Sequence, residues 1–258
     1  MVGEWAERLA RAEEIVARAR QIVAFTGAGI SSESGIPTYR DTNDAIWEKY
    51  DSETIAEISH FRRDPRNFWR FFQEARYVAM SQAEPNPGHR ALAAMERAGR
   101  LHSVITQNID GLHQQAGSQR VIELHGNTRR ILCLECGERH AFEEVYEILQ
   151  LRNPPPCRAC GGMLKPDVVF FGEPLPAAAL MEAGQAIADC DLLIAIGSSL
   201  VVYPAAALPE QAKRQGADLM LVNLTPTAYD SIADVVLPAS AGEVLPALAR
   251  AAGVADPI

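Results

Sequence analysis

"IVAFTGAGISSESGIPTYR", residues 22–40, decides the fold. A five-residue apolar run, Ile22 to Thr26, passes straight into Gly27-Ala28-Gly29, and the stretch closes on Tyr39 and Arg40. A short apolar run cut off by glycines reads as a buried strand entering a tight turn. A Gly-x-Gly turn leaving a strand lets a phosphate come close to the backbone, and Arg40 can add a forked contact to phosphate oxygens. The third glycine of the Gly-x-Gly-x-x-Gly fingerprint is missing, so the loop alone does not say which phosphate compound it serves.

Further apolar runs follow at 102–106, 120–124, 168–171, 192–196, 219–222 and 234–238, spaced by helical stretches. Most are continuous rather than alternating, as expected of strands covered on both faces. The rhythm predicts an α/β fold, a Rossmann-like doubly wound parallel sheet. Residues 89–99 predict one of its helices, with Asn86 as cap and Pro87 in the first turn. Two segments break the rhythm. Residues 41–83 contain the aromatic, helical "NFWRFFQEARYVAM", and 128–165 are rich in cysteine, proline and charge. They are expected to pack together as a smaller second domain, a helical insertion plus a cysteine ribbon. Residues 1–40, 84–127 and 166–258 then form the larger one.

With 258 residues, 48% of them hydrophobic, the chain can bury a full core. A net charge of −9 and a pI near 5.2 argue against nucleic acid as a partner, which calls for a basic face. The first twenty residues are charged throughout and amphipathic, so they read as a helix and not as a signal peptide. No run approaches a membrane span. A cytoplasmic location is expected, and the five cysteines then need a reason other than disulfides.

Four of them supply it. Cys133-Leu-Glu-Cys136 and Cys157-Arg-Ala-Cys160 stand twenty residues apart, and each Cys-x-x-Cys turn can aim two thiolates at one tetrahedral centre. Together they predict one structural Zn²⁺ with no open coordination position. Cys190 lies outside the pattern and reads as a small buried hydrophobe.

Three polar clusters fall where predicted strands end, the edge at which open α/β sheets bind ligands. The first is the opening loop. The second is Thr106-Gln107-Asn108-Ile109-Asp110, which by itself is equally an Asn- and Asp-rich turn. The third is "ELHGN", where His125 is either a satisfied structural residue or a base titrating near neutrality. Gly197-Ser198-Ser199 and Asn223 end two later strands and offer hydroxyls and an amide suited to ribose.

Taken together, "GAGISSESGIPTYR", "TQNID", "ELHGN", the four cysteines, "KPDVVFFGE", "GSSLVVYPA" and "LVNL" resemble the sirtuin family, from about Gln21 to Ala249. Two departures occur in the first loop: Tyr39 stands where the family mostly has phenylalanine, and Asp41 where glycine is common.

The resemblance implies an NAD-dependent protein-lysine deacylase that releases nicotinamide, O-acyl-ADP-ribose and free lysine. Gly27, Ala28 and Arg40 would hold the diphosphate side of NAD, with Gly29 and Tyr39 also in contact with the cofactor. Asn108, Ile109 and Asp110 would form the nicotinamide pocket, Ser198 and Asn223 would hold the adenosine half, and Gln107, Gly197, Ser199 and Leu224 would also contact the cofactor. His125 would be the general base, with Asn108 and Asp110 beside it in catalysis. The substrates would be acyl-lysine proteins or peptides, received as an added strand between "VVFFGE" and "GSSLVV". Val169 and Phe171 would then line the tunnel for the lysine stem, and Val202 would contact the substrate. Sirtuins preferring succinyl or malonyl chains resemble one another in a Tyr-x-x-Arg pair. The matching stretch here reads Phe72-Gln-Glu-Ala75, which implies acetyl and other neutral acyl groups. A protein ADP-ribosyltransferase would use nearly the same pocket and is the alternative. A hydride-transferring dehydrogenase fits worse for want of the full glycine fingerprint, and a zinc-ribbon nucleic-acid module leaves the strand-end polar groups unexplained.

Overall fold

The computed structural model describes residues 2–37, 50, 55–76, 80 and 82–255. The chain opens with α1 (Val2–Arg18) and enters β1 (Ile22–Thr26), from which a 3-10 turn, Ala28–Ser34, emerges. The first excursion contributes α2 (Ile58–Arg63) and α3 (Arg66–Phe71), which widens into a π turn over Phe72–Arg76. α4 (Pro87–Arg97) leads to β2 (Leu101–Thr106), α5 (Leu112–Gln115) and β3 (Val121–Glu123). The ribbon region holds β4 (Gly126–Cys133), β5 (Arg139–Ala141), α6 (Phe142–Leu151) and β6 (Leu164–Val168). α7 (Ala177–Asp189), β7 (Leu192–Ile196), α8 (Ala207–Arg214), β8 (Asp218–Val222), β9 (Val235–Leu237) and α9 (Ala241–Ala251) follow.

Six strands pair in parallel in the order β3-β2-β1-β7-β8-β9. Strand residues alternate between two cores. Ile22 and Ala24 face α1, α4 and α9, whereas Val23 and Phe25 face α7 and α8. Both faces are therefore dry, which is why the strands read as continuous apolar runs. The order runs outward from β1 in both directions. The reversal opens a crevice at the carboxyl ends of β1, β2 and β7, and that crevice is where the polar clusters lie.

The predicted helix at 89–99 is α4, two residues earlier at each end, and Asn86 caps it as expected with Pro87 in its first turn. One predicted strand is corrected. The apolar run 168–171 is not a member of the parallel sheet: the strand there is β6, Leu164–Val168, and it belongs to a separate antiparallel sheet ordered β5-β4-β6. Its polar interior, Lys165-Pro166-Asp167, hides it from a hydrophobicity reading, while Phe170 leaves the strand to join an aromatic core.

That core draws on both excursions. Phe61, Phe68, Trp69 and Phe72 pack with Ile131, Phe142, Leu164 and Phe170, with the Phe68 and Phe170 ring centroids 4.9 Å apart. Trp69 Nε1 donates to the Leu164 carbonyl at 3.2 Å, so the one polar atom of the buried indole is satisfied.

Candidate active site and cysteine cluster

The glycine pair after β1 has a job that its sequence does not announce. Gly27 N–H donates to the Ile196 carbonyl at 3.0 Å and Gly29 N–H to the Gly197 carbonyl at 2.8 Å. A methyl at Gly29 would stand 2.7 Å from Gly197 Cα, and one at Gly27 would stand 2.8 Å from the Gly197 oxygen. Both positions need glycine because the turn after β7 presses against them. The turn after β1 and the turn after β7 form one piece of backbone, whatever ligand lies above it.

The turn after β2 is locked to the same piece. Asn108 Nδ2 donates to the Gly27 carbonyl at 3.1 Å and to Ser31 Oγ at 3.0 Å, and Ser31 Oγ in turn donates to Asp110 Oδ2 at 2.8 Å. Asp110 Oδ1 accepts from the Leu112 N–H at 2.9 Å. Burial raises the Asp110 pKa, and the bonds from Leu112 and Ser31 oppose that rise. Gln107 Nε2 donates to Ser198 Oγ at 2.8 Å, and the Leu200 N–H reaches the same oxygen at 3.3 Å. Ser198 is thus an acceptor twice over, with its own proton left to offer.

His125 follows β3 and is half-buried. Its Nδ1 lies 2.9 Å from the Gln107 main-chain carbonyl. A carbonyl only accepts, so Nδ1 carries the proton and the neutral ring keeps its lone pair on Nε2. Burial lowers the His125 pKa below the usual 6.5, partly opposed by the Gln107 carbonyl. At neutral pH the ring is uncharged and able to take a proton. Gly126, at φ 79°, starts β4 immediately after it; a methyl there would fall 2.0 Å from the Asp167 oxygen. The close pairing of β4 with β6 therefore fixes where His125 sits.

Beside this cluster an apolar cavity is lined by Phe68, Phe72, Ile109, Val168, Val169 and Phe170, among others. Val169 lines this cavity, and Phe171 does not. Phe171 is 55% exposed and outside the lining, and Phe170 takes the inner place. The reason is main-chain pairing: Phe171 N–H donates to the Ala56 carbonyl at 2.8 Å and its carbonyl accepts from Ile58 N–H at 3.0 Å, which turns the ring outward. Val202 is exposed in the segment after β7 with Val201 and Tyr203. Ser199 is half-buried, and Leu224 is exposed past β8. Asn223 Nδ2 donates to the Thr225 carbonyl at 2.6 Å within its own loop. Tyr39 and Arg40 lie outside the described residues.

Ser31 is the site residue that sequence reasoning passed over, although it stood inside the quoted loop. Its signal was a hydroxyl inside the turn, four residues before the Gly35 that ends it, unreadable until Asp110 is beside it. Lys165 is another. Its buried Nζ meets Glu173 Oε2 at 2.8 Å and donates to the Val168 carbonyl at 2.6 Å, tying together the two ends of the segment that carries Val169.

The four cysteines converge as predicted. Their sulfurs all lie within 4.8 Å of one another, Cys133 to Cys160 at 3.6 Å and Cys136 to Cys157 at 3.8 Å. Four sulfurs at about 2.3 Å from one zinc stand roughly 3.8 Å apart, so the residues fit that metal. Gly137 and Gly161, at φ 74° and 76°, turn the two knuckles. Cys190 packs against the α7–α8 core, and burial pushes its thiol up to about 11, so it is a filler and not a nucleophile.

Comparison with known proteins agrees with this geometry. The model of the Sir2 family matches residues 27–204. NAD-dependent protein deacylase 2 of Archaeoglobus fulgidus is 51% identical over 241 residues, 93% of this chain and 94% of that protein. A solved Sir2 complex with p53 peptide and NAD+ is 40% identical, with a TM-score of 0.86 over 94% of this chain and 97% of that one. Sir2Tm bound to a propionylated peptide is 40% identical, with a TM-score of 0.84 over the same shares, 94% and 97%. On family match, identity and fold together, the chain belongs to the Sir2 family.

Proposed function

We propose that the protein uses NAD to remove acetyl and other neutral acyl groups from lysine side chains of proteins or peptides, releasing nicotinamide, O-acyl-ADP-ribose and free lysine. The observation that carries the reading is the convergence of His125, Asn108, Ser31 and Asp110 on the crevice at the sheet's switch point, with an acyl-sized apolar cavity beside them.

NAD supplies an anomeric carbon that becomes reactive when nicotinamide departs. The chain's own residues do the rest. Asn108 and Asp110, held rigid through Ser31, present the nicotinamide pocket with Ile109. Gly27, Ala28, Gly29, Tyr39 and Arg40 take the diphosphate side, and Gln107, Gly197, Ser198, Ser199, Asn223 and Leu224 take the adenosine half. Phe170 and Val169 exclude water around the acyl-lysine stem, and Phe171 and Val202 meet the peptide at the rim. His125 Nε2 accepts a proton from the ribose hydroxyl side, because its other nitrogen is committed to Gln107.

The four cysteines would hold one Zn²⁺, which supplies folding energy and no chemistry, since four thiolates leave no water to activate. The division into a larger unit (1–40, 84–127, 166–258) and a smaller one (41–83, 128–165) remains our reading, supported by the aromatic core that both excursions share. We read the protein as cytoplasmic from its charged, amphipathic first helix, and as free of nucleic-acid partners from its acidic composition. Incubation with adenine-labelled NAD and an acetylated peptide tests the reading. Label in a small acylated product is expected, whereas label retained on protein would favour ADP-ribosyl transfer.

A further inference from the structure

Two helices begin beneath the turn that follows β1. Gly88 in α4 lets their first turns meet, since a methyl there would stand 3.1 Å from Ala241 Cβ in α9. Asn86 caps α4: its Oδ1 accepts from the N–H groups of Gly88 at 2.9 Å and His89 at 3.3 Å. Its Nδ2 faces the other way. It donates to the Ile30 carbonyl at 2.7 Å and to Ser34 Oγ at 3.0 Å, both in the 3-10 turn Ala28–Ser34. From the far side Glu33 accepts from Gly242 N–H at 2.7 Å and from Ser240 Oγ at 3.1 Å, at the start of α9. The turn is clamped to two helix ends at once.

A cap needs only an acceptor, and aspartate or serine serves about as well as asparagine. The amide is distinctive because one end accepts while the other donates. Asn86 is 6% exposed, so little water replaces a lost donor. The Ile30 carbonyl that it holds immediately precedes Ser31, whose hydroxyl organises Asn108 and Asp110.

We propose that Asn86 is a positioning residue for NAD: the donor half of its amide holds the 28–34 turn in the shape that receives the cofactor. The capping half serves only the helix. The proposal rests on reading this turn as part of the NAD site.

Asn86→Asp and Asn86→Ser both keep an acceptor at the cap and both remove the donor toward Ile30. At about pH 8 the helix N-terminus keeps the new carboxylate ionised, so it cannot donate in its turn. Ile187→Val, in α7 on the opposite face of the sheet, controls for general loss of stability. Steady-state kinetics on the full chain with NAD and an acetylated peptide should show KM for NAD rising about tenfold in both cap variants, the size expected for one buried hydrogen bond. KM for peptide should stay put, and the control should match the parent on both. The proposal is overturned if KM for NAD stays within about twofold of the parent, or if both KM values rise together. NAD turnover by the parent in the same assay separates the levels: without it the site reading fails and the proposal falls with it.

Discussion

His125 Nδ1 and the Gln107 carbonyl oxygen are 2.9 Å apart, a hydrogen bond that joins the turn after β3 to the turn after β2 and leaves Nε2 as the basic nitrogen. Burial holds the pKa of this ring below 6.5. A base must be neutral to act, so kcat/KM should rise with pH through an apparent pKa under about 6.5 and then level off. His125→Ala should lower kcat by at least about a hundredfold, the usual contribution of a positioned base, with NAD still bound. Parent-like turnover in that variant, followed by nicotinamide release, would remove His125 from the mechanism.

Stripping zinc should unfold the ribbon before it touches the chemistry. The cysteine knuckles contribute Cys133 and Cys157 to the same core as Phe68 and Trp69, so losing the metal loosens the packing around the acyl cavity. Chelation, or Cys160→Ser, should lower the melting temperature by several degrees or more, because each kcal/mol is worth about 2–4 °C in a chain of this size. Metal analysis should give about one zinc per chain. Protein free of zinc that melts like the parent would contradict the assignment.

Acetyl-lysine should be preferred over succinyl-lysine. Among the described residues lining the cavity, Thr128 is the polar one, and its hydroxyl already donates to the Ile109 carbonyl at 2.8 Å. Phe72 stands inside it where a phenol would be needed, while the side chains at 75 and 76 lie outside the described residues. A carboxylate desolvated there without a partner costs several kcal/mol, or roughly a thousandfold in kcat/KM at about 1.4 kcal/mol per decade. Competition between the two acylated forms of one peptide measures this ratio, and equal turnover would show that the cavity holds a cation.

Acid should destabilise the fold through two adjoining buried imidazoles behind the site. His89 and His113 are fully buried with ring centroids 4.9 Å apart; burial, helped by Arg90, lowers the His89 pKa to about 4, and burial with the neighbouring His89 lowers that of His113 well below 6.5. Above pH 6.5 the His89 ring is neutral folded and unfolded, so there is no penalty. Between about 6.5 and about 4 the unfolded chain takes up a proton that the folded one refuses, and stability falls as pH falls, by on the order of 3 kcal/mol for His89 alone. Melting curves from pH 7 to 4 should show this slope, and His89→Phe should flatten it. A slope unchanged in that variant would place the acid sensitivity elsewhere.

How much of this was readable beforehand depended on whether a residue's neighbours were near it in the chain. β1, β2, β7 and β8 were visible because burial on both faces makes a strand a continuous apolar word, and the cysteine spacing carried its own geometry. β6 was misplaced because Pro166 and Asp167 break its apolarity, and the run beside it, Val168 to Phe171, divides between a strand end, a cavity wall, an aromatic core and an exposed ring. The need for glycine at 27 and 29 was read as room for a phosphate, yet the structure puts the Gly197 backbone there. Ser31 and Lys165 escaped notice for the same reason, as did the donor half of Asn86, whose capping half was legible: each acts through a partner that only the fold brings near.

The most direct test of the central claim is one incubation of the protein with NAD and an acetylated peptide, followed by mass spectrometry of every product. The account predicts peptide lighter by one acetyl group only when NAD is present, equal amounts of nicotinamide, and the acetyl group carried on ADP-ribose. Acetyl lost as free acetate without NAD consumption, or NAD consumed with the peptide still acetylated, would contradict it.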